Sequence, residues 1–206
     1  MSKQPIAERT CSRCEVEKPL QAFYNSERTY CIECERVTAR ERMKRYNGTF
    51  RGKASQALQD SRKAVKRIEL EQGMEVEDTL TLIDVLWVLS EKECAYCGEE
   101  IEEKSRTLDH ITPMKYYGGN TFSNVTMACA SCNRIKNDLP VIMHMIREET
   151  DERQALQLFE RMASRSNRTF SEVFEQLSKD ARTYFEHRTV LAIERIKESE
   201  ERDGTA

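Results

Sequence analysis

All eight cysteines fall in Cys-x-x-Cys pairs: Cys11/Cys14, Cys31/Cys34, Cys94/Cys97 and Cys129/Cys132. A tight turn that supplies two thiolates is half of a tetrahedral zinc site, so four such turns imply two structural Zn²⁺ ions. Four thiolates fill the coordination shell and leave no position for a reacting water. Disulfide scaffolds do not space their cysteines this way, and the pattern fits a reducing cytoplasm. The second set brackets Asp109-His110 and Asn124, with Asn133 following directly. A zinc joining Cys94/Cys97 to Cys129/Cys132 would hold these side chains in a fixed constellation. Taken alone, Asp109-His110 also fits a hydrogen-bonded turn beside a zinc knuckle.

The whole stretch from Cys94 to Lys136 resembles the HNH endonuclease family in its four-cysteine, zinc-bound form. The matching residues are Cys94, Cys97, Asp109-His110-Ile111, Pro113, Gly118-Gly119, Asn124, Cys129, Cys132, Asn133 and Lys136. One position departs from the pattern: Asn133 stands where the family triplet ends in His. The resemblance implies a metal-dependent endonuclease that hydrolyses DNA phosphodiester bonds, nicking one strand or cutting both. His110 would be the general base, since an imidazole titrates near working pH. Asp109 lies on the opposite face of the strand, and with Asn133 would hold the catalytic Mg²⁺ or Mn²⁺, an all-oxygen set suited to a hard cation. Asn124 would bridge the loop and orient His110. Lys136 and Arg134 would contact phosphate, and the products would carry 5′-phosphate and 3′-hydroxyl ends. The alternative is a zinc-dependent DNA-binding regulator that has lost cleavage. Residues 11–34, with Lys18-Pro19-Leu20 and Phe23 between the cysteine pairs, are similar to the zinc modules at the front of phage-type endonucleases.

The net charge of −3 would argue against nucleic acid, but its distribution does not. Residues 36–67 carry 11 basic and 2 acidic groups, net +9. Such a block is an electrostatic footprint for phosphate. Arg40, Lys44, Arg45, Arg62, Lys63, Lys66 and Arg67 are the expected DNA-backbone contacts. No apolar run reaches membrane-spanning length, and Met1 to Thr10 reads as a flexible lead without a signal-peptide pattern.

The elements needed to position these groups make an α+β chain that is mostly helical. Four parts are expected: a zinc ribbon at 1–35 with Phe23, Tyr24 and Tyr30 as its core, a basic helical linker at 36–72, the nuclease domain at 73–140, and helices at 141–206. A helix from Asp78 or Thr79 to about Ser90 is apolar nearly all round, which predicts burial with Trp87 in the core. Thr107–Ile111 and Asn124–Met127 read as a hairpin, followed by a helix from Cys132. Thr169 and Glu172 form a capping-box pattern ahead of a long striped helix that could pack on the core or pair with a second copy as a homodimer.

Overall fold

The computed structural model describes residues 7–203, with side chains through residue 197. The chain divides into two compact units, Met1–Lys53 and Ala54–Ala206.

In the first unit, β1 (Glu8–Thr10) pairs antiparallel with β2 (Glu17–Pro19), and α1 follows at Ile32–Asn47. The expected lead thus contributes a strand, while residues 1–6 lie outside the described residues. Cys11, Cys31 and Phe23 are buried together, with the Arg9 guanidinium 4.0 Å from the Phe23 ring centre. Tyr24 and Tyr30, expected in this core, are 59% and 38% exposed. A unit this small closes around its cysteines and one aromatic ring, leaving no interior for two more. Zinc would then supply most of its folding energy.

The second unit takes in most of α2 (Phe50–Gln72). Leu58, Val65 and Ile68 form its buried stripe, so this basic helix is a packed element rather than a solvated linker. Val65 and Ile68 pack with Val76 and Met114. Helix α3 (Leu82–Ser90) begins at Thr81, whose hydroxyl and backbone exchange capping-box bonds with Asp84. Its predicted start lay too early because Asp78 is engaged in a bridge with Asn120 and Thr79 donates its N–H to the Asn120 carbonyl. The helix buries Val85, Val88 and Leu89, but Ile83 is 76% and Trp87 65% exposed. Trp87 is therefore not a core residue. A helix of 9 residues presents only one face to the hairpin, whatever the composition of its other faces.

Strand β3 (Arg106–His110) pairs antiparallel with β4 (Val125–Cys129), placing Asp109 opposite Thr126 and His110 opposite Val125. Helix α4 (Ala130–Lys136) completes a ββα unit. An isolated two-stranded hairpin is marginal in water, and this one is covered by α5 (Val141–Arg147), α6 (Glu152–Ser166) and α7 (Phe170–Asp203). Val141, Leu158, Phe159, Val173 and Leu177 from these helices share a core with Tyr96, Ile111 and Ala128. Thr169 and Glu172 make the expected capping box at the start of α7. The fold is α+β and mostly helical. Among the described residues, no helix is long and apolar enough to cross a membrane.

Candidate active site

The two cysteine sets each gather in space. Within each, the four sulfurs lie within 4.8 Å of one another. In the second set, the Cys129 N–H donates to Cys94 Sγ at 3.3 Å and the Cys132 N–H to Cys129 Sγ at 3.3 Å. In the first, the Cys31 N–H donates to Cys11 Sγ at 3.2 Å. Burial would raise the Cys129 thiol, but these backbone and thiol hydrogen bonds outweigh it and bring its pKa below the ordinary value. Four cysteine sulfurs gathered this closely are a donor set that fits a tetrahedral zinc ion. The Ala95 N–H donates to the Met127 carbonyl at 3.0 Å, fastening the Cys94 knuckle to β4.

Adjacent residues on a strand point to opposite faces, and the end of β3 uses this. Asp109 is 6% exposed. Its Oδ2 accepts from the Tyr96 hydroxyl at 2.5 Å and lies 3.0 Å from Lys136 Nζ. Both interactions use Oδ2, which leaves Oδ1 available. Asn133 donates through Nδ2 to Thr107 Oγ1 at 3.1 Å, which leaves its Oδ1 available too. Lys136 also donates to the His110 carbonyl at 2.6 Å. The Lys136 ammonium therefore braces the strand from within. Burial lowers its pKa, and the Asp109 charge works against that shift. Burial, then Asp109, pushes the Tyr96 hydroxyl far above its ordinary value, so it stays a proton donor. Lys136 was expected at a phosphate, but its side chain is fully buried and committed inside the protein. Arg134 of the same helix is exposed, as a phosphate contact requires.

His110 sits at the mouth of this arrangement. Its Nε2 is 2.9 Å from Asn120 Oδ1. Crowding by protein atoms lowers its pKa, partly offset by Asn120 and Asp109. Asn124 does bridge the loop: Oδ1 accepts from the Thr112 N–H, and Nδ2 donates to the carbonyls of Thr112 and Gly119. The side chain on the His110 ring, however, is Asn120 rather than Asn124. Gly118 is required here, because a Cβ at that position would fall 2.0 Å from the Thr112 carbonyl oxygen. The same loop is tied to α7 by the Thr112 hydroxyl, which donates to Asp180 Oδ2 at 2.6 Å.

Asp109, His110 and Asn133 line one cleft of about 440 Å³. Its other wall is the last turns of α2, with Arg67, Ile68 and Glu71. Residues 94–139 match the HNH endonuclease family model. The HNH stretch thus spans the second cysteine set, the hairpin and α4, while the α2 wall lies outside it. Among solved structures, the chain is similar to the crystal structure of the Type II-C Cas9 enzyme from Actinomyces naeslundii, at 22% identity and a TM-score of 0.34. That match covers 73% of this chain and 15% of the other, so this chain spans a small part of that enzyme's length. No curated protein matches the chain.

The expected backbone contacts fall on two helices. Arg40, Lys44 and Arg45 are exposed on α1 of the first unit. Arg62, Lys63, Lys66 and Arg67 are exposed on α2 of the second. Lys63 pairs with Asp60 at 2.9 Å, and Arg62 donates to the Leu80 carbonyl at 3.1 Å. Tyr96 and Asn120 were not singled out by the sequence, and Asp78 was read only as a helix start. Only Asn120 had a local signal, its place directly after Gly118-Gly119.

Proposed function

We propose that this chain is a metal-dependent DNA endonuclease of HNH type. The observation that carries the reading is the convergence of His110, Asp109 and Asn133 on one cleft whose far wall is the basic helix α2. Phosphodiester hydrolysis needs an activated water, charge neutralisation at the phosphoryl oxygens and stabilisation of the leaving oxygen. His110 removes the proton from the attacking water. Asp109 Oδ1 and Asn133 Oδ1 are the oxygens that would hold Mg²⁺ or Mn²⁺, cations that keep several waters and take few protein ligands. That ion, when bound, supplies charge stabilisation at the scissile phosphate. Tyr96 and Lys136 fix the Asp109 carboxylate so that it does not rotate away. Arg67, Lys66 and Arg134 hold the duplex backbone, a role that requires charge but carries little sequence information. The two zinc clusters keep the ribbon and the hairpin folded and take no part in the reaction. Phe185, Val190 and Ile193 are exposed along the far half of α7, and a second copy pairing there would cover them.

The test is incubation of the zinc-loaded protein with supercoiled plasmid and Mg²⁺ or Mn²⁺, beside a binding assay in EDTA at low salt. Nicked or linear plasmid supports the endonuclease. Binding without cleavage on any DNA would replace it with the DNA-binding regulator.

A further inference from the structure

The Asn120 side chain is fully buried and sits between two partners of different chemistry. Its Oδ1 is 2.9 Å from His110 Nε2, and its Nδ2 is 2.7 Å from Asp78 Oδ1. A carboxylate oxygen accepts hydrogen bonds and an amide NH₂ only donates. Asp78 therefore selects the amide's NH₂ side, which turns the amide oxygen toward the imidazole. That oxygen can only accept, so the ring nitrogen facing it must carry hydrogen. In a neutral imidazole with Nε2–H, the lone pair is on Nδ1.

We propose that Asp78 and Asn120 act as a positioning relay that holds His110 in the Nε2–H tautomer and reserves Nδ1 for the attacking water. The inference rests on the reading of His110 as general base.

The relay is built into the backbone as well as the side chains. The Asn120 N–H donates to the Glu77 carbonyl at 2.7 Å. The N–H groups of Thr79 and Leu80 donate to the Asn120 carbonyl at 3.1 and 2.9 Å. Asp78 is thus held at a fixed height beside the loop. Arg62 of α2 stands behind it, with Nε 3.9 Å from Asp78 Oδ2. Asp78 and Arg62 both precede the HNH stretch, so the orientation of its base depends on residues outside it.

The chain has three histidines, which makes ring-nitrogen signals assignable by single substitutions. Long-range ¹H–¹⁵N correlation spectra of the zinc-loaded full chain, above the His110 titration, are expected to give a protonated Nε2 and an unprotonated Nδ1 for His110. A protonated Nδ1, or a rapid tautomer mixture, would overturn the relay without recourse to any variant. Asp78→Asn lets the Asn120 amide rotate, because an amide at 78 can both donate and accept. The expected result is a mixed His110 tautomer and a kcat lower by roughly 10- to 100-fold, with KM for DNA unchanged. Wild-type kcat and an unchanged tautomer in Asp78→Asn would overturn the relay. His110→Ala separates the two readings. If it cleaves like wild type, His110 is not the base at all. If it is dead while Asp78→Asn is fully active, only the relay fails.

Discussion

Lys136 Nζ lies 3.0 Å from Asp109 Oδ2, and the two side chains retain 0% and 7% exposure. A charge buried this completely is tolerable only with its partner in place. The pair explains how a carboxylate can sit inside a packed ββα unit and still offer one oxygen to the cleft.

Removing one member strands the other. Lys136→Met should cost about 3–5 kcal/mol of stability, read by chemical denaturation of the zinc-loaded chain. Adding Asp109→Asn should recover much of that loss while leaving cleavage absent. A single variant as stable as wild type would show that Lys136 is not the partner that Asp109 needs.

The pH dependence of cleavage follows from the sign of the His110 shift. The neutral imidazole is the active base, and its surroundings disfavour the imidazolium, lowering the pKa. Activity should therefore rise with pH along a limb whose midpoint lies below about 6.5, the ordinary histidine value. Rates measured from acid to neutral pH at fixed Mg²⁺ check this. A midpoint above the ordinary value would mean that the imidazolium is stabilised instead.

Metal analysis separates the two cysteine sets. The wild-type chain should bind two zinc ions. Cys132→Ser should bind one and lose cleavage, because the knuckle that fastens to β4 opens. Cys14→Ser should also bind one, with far-ultraviolet circular dichroism changing only by the small first unit. Two ions retained in either variant would refute the assignment.

DNA affinity should be strongly salt-dependent, since the proposed contacts are to phosphates. Lys66→Ala with Arg67→Ala should reduce the slope of log K against log salt by about 0.9 per lost contact. An unchanged slope would remove the end of α2 from the interface.

How much of this was readable in advance depended on the range of the interactions. The four Cys-x-x-Cys pairs, the strand read at Thr107–Ile111 and the Thr169–Glu172 cap are local patterns, carried by spacings of a few residues. Lys136 was misplaced because a lysine on a short helix reads as surface. Its burial depends on α5, α6 and α7 closing over the hairpin, which no local spacing reports. Asn120 was passed over because the carboxylate that gives it meaning is 42 residues away. Trp87 failed in the opposite sense: a mostly apolar stretch from Asp78 or Thr79 to about Ser90 suggested burial all round, yet α3 rests on the hairpin by one face. The packing of α2 was equally out of reach, since Val65 and Ile68 meet Met114 only through the folded loop.

The central claim is that His110 is the base of a DNA-cleaving site. The direct measurement is the single-turnover rate of supercoiled plasmid cleavage in Mg²⁺ by wild type and by His110→Ala, both carrying two zinc ions. The account predicts nicked or linear product from wild type and a rate lower by about 10²- to 10⁴-fold in the variant. Equal rates would contradict it.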